Sequence, residues 1–431
     1  MNKRATFSII SLGCPKNTVD SEILKGGLVN SDFIYTDNLE EAKVIIINTC
    51  GFIETAREES IDTILDAIML KKRGNVKKVF VMGCMSQRYS EELKREFPEV
   101  DGIYGVESQS AIVKELLGKS NKFCGVEKIR SMITPEHYAY LKIAEGCDNA
   151  CSFCSIPLMR GKQKSRTIKS IIEESIYLHN KGVKELILIA QDLTRYGTDL
   201  PTKITLVDVL EELLSLNLFH WVRIMYSNPD FWMSKLNDLF CKYPNLCPYI
   251  DIPVQHASDK ILKLMNRGKN CNEIRKILKS IRSDVQNVAL RTSVMVGFPS
   301  ETEDDFNELL DFVEEVKFER LGVFIYSEEE GTSAEKLENN VPEEEKEQRK
   351  DIVMAIQYDI SGEFAMSKIG EQIEVLIERK DNFGYIGRTV WDAPEIDCFV
   401  RVRSEKDIEI GEFYKVKIDS VEGLDLVGKV R

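Results

Sequence analysis

No stretch of the 431 residues approaches the run of about 18 uninterrupted apolar residues that a membrane-spanning helix needs, so a soluble protein without a membrane partner is expected. Positive charge is also in short supply: 58 Lys and Arg stand against 71 Asp and Glu, a formal net charge of -13. That balance argues against a nonspecific nucleic-acid binder, which needs a Lys/Arg surface, and it suits a basic partner, with solubility alone as the alternative. An export signal is wanting as well. Met1 to Cys14 holds a Lys-Arg pair and an apolar stretch of about eight residues, at the lower limit for a signal core, and reads better as a buried strand. The eleven cysteines are therefore expected in a reducing cytoplasm, kept for metals or catalysis and not for disulfides.

What is present is organised in three stretches. The length suggests two to four domains at roughly 150 residues each, and three are expected, over residues 1–125, 133–365 and 366–431. The first carries β-rich runs at Phe7–Leu12, Val44–Ile47 and Val79–Met82, separated by helical periodicity at Ser21–Val29 and Glu54–Lys71. That alternation makes an α/β domain with a parallel sheet. The second has six strand-like runs, Ala139–Glu145, Glu185–Gln191, Trp221–Ser227, Tyr249–Val254, Leu290–Gly297 and Leu321–Tyr326, with helical segments such as Ile168–Lys181, Leu206–Ser215 and Ser258–Arg282 between them. Six such units predict a partial (β/α)6 barrel, related to the TIM barrel, with its chemistry at the C-terminal ends of the strands. A charge-dense stretch, Glu328–Lys350, precedes a helix through about Phe364. The third stretch has short strands at Ile373–Ile377, Tyr385–Val390, Cys398–Arg403, Glu412–Ile418 and Leu424–Val430, punctuated by Asn382, Gly384, Gly411 and Gly423. It predicts a small five-stranded β-barrel of the oligonucleotide-binding general type.

The sharpest motif is Cys147-Asp-Asn-Ala-Cys151-Ser-Phe-Cys154. Three thiolates on a loop after a strand can ligate three irons of a four-iron cluster. No fourth Cys or His follows at ligand spacing, whereas a structural zinc site is closed by four ligands. The fourth iron is then open to a small molecule. Cys14, Cys50 and Cys84 each follow one of the first three strand runs directly, after Gly or Thr. Ligands of open α/β sheets sit outside the carboxyl ends of the strands, so these three are expected to converge as a second three-cysteine site. Cys124, Cys241, Cys247, Cys271 and Cys398 show no such spacing and read as packing residues, with a site joining Cys241 and Cys247 the remaining alternative.

The Cys-x3-Cys-x2-Cys loop, with an aromatic residue before its last cysteine and a partial barrel around it, resembles the radical S-adenosylmethionine (SAM) superfamily. The second triad on an N-terminal α/β domain makes the whole chain similar to the methylthiotransferases of that superfamily. Ser11-Leu-Gly-Cys-Pro-Lys-Asn17, Val19-Asp-Ser-Glu22, Asp251-Ile-Pro-Val-Gln-His-Ala257, Tyr326-Ser-Glu-Glu-Glu-Gly-Thr332 and Asp392-Ala-Pro-Glu-Ile-Asp397 look like the branch that modifies an aspartate of small-subunit ribosomal protein S-twelve. Cys398 departs from the pattern, since glycine is expected after that last aspartate. The resemblance implies two [4Fe-4S] clusters and SAM as cofactors. One SAM supplies a methyl group to a sulfur on the auxiliary cluster and another supplies a radical, so that a thiomethyl group is inserted at the β-carbon of the aspartate. It also implies a TRAM domain at the C-terminus and an electron donor such as flavodoxin or ferredoxin. The alternatives are a tRNA adenosine methylthiotransferase and a non-catalytic iron–sulfur RNA-binding module.

Polar residues at the barrel strand ends, Gln191, Asp192, Tyr196, Arg223, Tyr226, Gln255, His256, Arg291 and Thr292, are candidate contacts to SAM, with structural hydrogen bonding as the alternative for each. His256 is as readily a loop brace, because radical hydrogen abstraction needs no general base. Arg160 and Arg166 could face an anionic cofactor or substrate. From Met366 to Arg431 there are 11 Lys/Arg and 14 Asp/Glu. Asp392, Glu395 and Asp397 are thus expected to present an acidic face to a basic protein substrate, and no direct tRNA substrate is expected.

If the two triads are separate sites, Cys151→Ala abolishes 5′-deoxyadenosine formation while iron and sulfide fall by about half, because the other cluster keeps its own ligands. Anaerobic reconstitution followed by metal and nucleoside analysis checks this, and retained deoxyadenosine formation would contradict the assignment.

Overall fold

The computed structural model describes residues 5–118 and 130–430; Cys124 and the expected domain boundary at 125 lie outside them. The three sequence stretches pack as two compact units. One is built on the N-terminal sheet together with residues 145–148 and 155–164, and the other holds both barrels.

The N-terminal sheet is parallel, in the order Ile34–Tyr35, Thr6–Ser11, Val44–Thr49, Lys78–Gly83, Gly102–Ile103. Its middle strand is apolar without alternation because both faces are covered. Val44 and Ile46 pack with Leu24, Leu28, Ile112 and Val113, whereas Ile45 and Ile47 pack with Ile64, Ala67 and Ile68. Two strands beyond the three expected are residue pairs at the sheet edges, too short to show a period. The helix expected from Ser21 begins at Pro15, where the fixed φ of proline suits the first helical position. Cys14 consequently stands at the N-cap of a 15-residue helix.

The second unit contains an open parallel barrel of six strands in sequence order: Tyr138–Lys142, Glu185–Ile189, Trp221–Ile224, Leu246–Asp251, Ala289–Val296 and Arg320–Ile325. The fourth ends three residues earlier than expected. Beyond it the Thr292 side chain takes over the ladder, accepting from the Val254 amide and donating to the Ile252 carbonyl. The helix expected over Ser258–Arg282 is two helices, Asp259–Leu264 and Cys271–Asp284. Asn266 breaks it with φ 57°, and an Asn270–Glu273 capping box starts the second piece.

The C-terminal strands Gln372–Asp381, Gly384–Arg388, Val400–Arg403, Phe413–Glu422 and Asp425–Val430 close a barrel. It packs on the strand-start end of the parallel barrel through buried charge. Glu185 accepts from Arg223 Nε at 2.7 Å and from Arg388 Nη2 at 2.6 Å, and Arg388 also donates to Glu378 at 2.8 Å. Arg320 donates to Asp392, and Asp397 accepts from Tyr249 and Arg291. This overturns the expectation of an acidic docking face: Asp392 and Asp397 are buried partners of barrel cations, and exposed Glu395 accepts from Tyr138. The turn there is made by Glu395, with φ 71°, so the cysteine at 398 meets no strain from the missing glycine. No helix among the described residues is long and apolar enough to cross a membrane.

Burial by itself would raise the Glu185 and Glu378 carboxyls, but their arginine partners, joined at Glu378 by His137, hold both below the ordinary carboxylate range. Their contribution to stability is accordingly present above that range and lost as pH falls below it, through their lowered values in the fold. Glu185→Gln leaves two buried guanidiniums short of a counter-charge and is expected to destabilise this unit by about 3–5 kcal/mol, read from urea unfolding at neutral pH.

Candidate metal centres

Each N-terminal cysteine is delivered by a strand end, and the tight turns there bring the three together. Gly13 has φ +85° and lies so close to Cys50 that a Cβ on it would stand 2.7 Å from the Cys50 sulfur. Gly51 approaches the backbone of Met85, next to Cys84, equally closely. Cys50 and Cys84 are buried, and Cys14 is half-buried. All three sulfurs lie within electrostatic range of one another: Cys14 and Cys50 both raise Cys84, and Cys14 raises Cys50.

Asn17 stitches the loops. Its amide donates to the Leu12 carbonyl at 2.7 Å and the Thr49 carbonyl at 3.1 Å, fixing the residues around Cys14 and Cys50. Its Oδ1 accepts from Arg160 Nη2 at 2.6 Å, and Arg160 Nε donates to Cys84 Sγ at 3.2 Å. Burial pushes the Cys84 thiol up to about 11 while Arg160 pulls it back; burial also raises Cys50, opposed by amide hydrogen bonds from Phe52 and Gly51. Metal ligation needs thiolates, and these donors are what favours them in a dry site. Among the described residues no three His, Cys, Asp or Glu close around a single ion, as zinc would require.

The second triad lies on the loop after the first barrel strand. The Cys147 amide donates to Gly161, and Cys154 donates to the Cys151 carbonyl at 3.2 Å in a tight turn. The segment from 150 to 154 is pinned by the break between the two helices described above. Asn266 donates to the Ala150 carbonyl, Ser152 bonds Leu264 and Met265, and Phe153 packs with Ile261, Met265, Phe298 and Tyr326. Arg267 Nη1 donates to Cys151 Sγ at 3.7 Å and Nη2 to Asn228 and the Pro253 carbonyl. Sequence reasoning missed Arg267; the one signal was the Asn-Arg-Gly interruption of a helical pattern.

The candidate SAM contacts divide. Arg223 and Arg291 are corrections, since their guanidiniums serve the C-terminal barrel interface and Asp251. Thr292 is consumed by the strand extension. His256 is fully buried, accepting from the Ser258 amide at Nδ1 with Nε2 facing Glu301 at 3.4 Å, and so braces its loop. Tyr196 is buried and donates to the Arg166 carbonyl, and Asp192 holds Thr194 and Asn149 of the cysteine loop. Gln191, Tyr226 and Gln255 stay partly exposed just beyond strand ends. Arg166 is tied to Glu174, Ser170 and the Lys142 carbonyl. Cys241 is exposed and Cys247 fully buried, with no metal site joining them among the described residues.

Gly13→Ala forces a Cβ against the Cys50 sulfur in a left-handed backbone conformation, so the N-terminal site is expected to retain less than half of its iron. Iron analysis of the variant in a Cys151→Ala background, where the other site is empty of iron, measures this directly.

Comparison with known proteins agrees with this architecture. Residues 6–105 match a profile described as uncharacterized protein family UPF0004, residues 141–313 the radical SAM superfamily, and residues 369–430 the TRAM domain. Among solved structures, the radical SAM methyltransferase TsrM from Kitasatospora setae is similar in fold, with a TM-score of 0.55 at 12% identity over 75% of this chain and 73% of that one. The ribosomal protein uS12 methylthiotransferase RimO of Clostridioides difficile is 50% identical, with 98% of each chain covered. That of Chloroherpeton thalassium is 43% identical, with 99% of each covered. At that identity over essentially the whole length, this chain belongs to the ribosomal protein uS12 methylthiotransferase family.

Proposed function

We propose that the chain is a radical SAM methylthiotransferase that places a thiomethyl group on the β-carbon of an aspartate of ribosomal protein uS12. The observation that carries this reading is the coexistence of two three-cysteine sites, one at a parallel-sheet edge and one on the first loop of an open (β/α)6 barrel. Near-full-length similarity to uS12 methylthiotransferases supports the substrate.

In this reading Cys147, Cys151 and Cys154 hold the radical-generating [4Fe-4S] cluster, and Cys14, Cys50 and Cys84 hold the auxiliary one. When bound, the clusters and SAM supply a 5′-deoxyadenosyl radical and the sulfur that is transferred with its methyl group. The protein's own residues orient and shield. Arg267 donates to the Cys151 sulfur, and Phe153 anchors the loop in the apolar cluster around Met265. Gln191, Tyr226 and Gln255, partly exposed just beyond strand ends, are proposed to contact SAM. A small electron carrier such as flavodoxin or ferredoxin is proposed as the reductant, since reductive cleavage consumes an electron that no side chain here provides. The chain's acidic balance supports a basic protein substrate over tRNA. A ribosomal protein as substrate supports a cytoplasmic location.

The test is mass spectrometry of uS12 from cells with and without this gene, together with the purified enzyme acting on uS12 and on tRNA. Thiomethylated aspartate only where the gene is present is the expected result. Unchanged uS12 with thiomethylated tRNA adenosine would overturn the substrate assignment.

A further inference from the structure

One buried cation in the N-terminal unit is placed with more precision than packing requires. Arg160 ends the short helix Ile156–Arg160, and its side chain is only 4% exposed. Nη1 donates to Glu145 at 2.8 Å, Nη2 to Asp20 at 3.1 Å and to Asn17 at 2.6 Å. Those partners already satisfy its charge and fix the plane of the guanidinium. Nε is thereby aimed at Cys84 Sγ at 3.2 Å. A lysine could not do this, because an ammonium is a single charge on a flexible stem, whereas the guanidinium is a rigid fork. Asn17, which shares Arg160 Nη2, also holds the loops of Cys14 and Cys50, so the guanidinium is locked to the same frame as all three sulfurs.

We propose that Arg160 is a positioning residue of the auxiliary cluster: through its Nε–H···Sγ bond to Cys84 it stabilises the thiolate ligand set and raises the cluster's reduction potential. This rests on the assignment of Cys14, Cys50 and Cys84 as cluster ligands. Its physical basis is that hydrogen bonds to cluster sulfurs and nearby net charge set iron–sulfur potentials. A donor bearing positive charge favours the reduced, more negative state. Asp20, which accepts from Nη2 of the same guanidinium, adds negative charge there and must act in the opposite sense.

The experiment uses the full-length chain carrying Cys147→Ala, Cys151→Ala and Cys154→Ala, so that only the auxiliary cluster is reconstituted. Its one-electron reduction is titrated with titanium citrate and followed by electron paramagnetic resonance. Arg160→Met is expected to shift the reduction equilibrium about tenfold toward the oxidised state, 59 mV downward for one electron. Arg160→Lys, which keeps charge but not the fixed donor, should fall between Arg160→Met and the parent. Asp20→Asn should shift the potential upward. A purely structural Arg160 predicts loss of cluster without shifts of opposite sign. Full loading with unchanged potentials in Arg160→Met and Asp20→Asn would overturn the proposal and leave the enzyme reading intact. If Arg160→Met fails to load, Arg160→Lys decides, a downward shift from the parent supporting the proposal and an unchanged potential removing it. Failure of the parent itself to hold a cluster would remove the ligand assignment and this proposal together.

Discussion

Everything at the N-terminal site depends on keeping sulfur ionised away from water. Burial of Cys50 and Cys84 works against the thiolate, and each neighbouring sulfur adds to the opposition. The fold answers with directed donors: backbone amides at Gly51 and Phe52 toward Cys50, and the Arg160 guanidinium at Cys84. The tight glycine turns follow from the same requirement, because only a residue without Cβ lets the Cys50 sulfur come so near the chain at Gly13.

The second unit solves a different charge problem. Arginines and carboxylates at the strand starts are withdrawn from water where the TRAM barrel covers them, and isolated they would be costly. Each is paired across the interface: Glu185 with Arg388, Arg320 with Asp392, Arg291 with Asp397. The consequence is functional as well as mechanical. The acidic segment Asp392–Asp397 belongs to the base of the barrel and cannot be the substrate's landing surface. The strand ends opposite remain free to carry the cysteine loop and the polar residues around it.

Much of this was legible in the residues alone. The two cysteine triads, the strand–helix alternation, the six-stranded barrel and the small C-terminal barrel all have local signatures: ligand spacing, the period of apolar residues and the placing of turn residues. Side-chain direction was not legible. Arg223, Arg291, Thr292 and His256 sit where a barrel mouth is inferred, yet a strand residue's neighbours are set by which other segment packs against it. The TRAM segment that claims Arg223 begins more than a hundred residues later in the chain. Arg267 escaped notice for the same reason, being recognisable only once the helix break puts it beside Cys151.

The sequence by itself thus determined the class of chemistry, because three thiols at ligand spacing on a loop admit few other uses, and it determined the order of the domains, because periodicity is a local property. Only the tertiary structure decided which charges are structural and which are left for function. Pairing energies between buried ions depend on distance in three dimensions, and Arg160 meets Cys84 across 76 positions of chain that no local pattern connects.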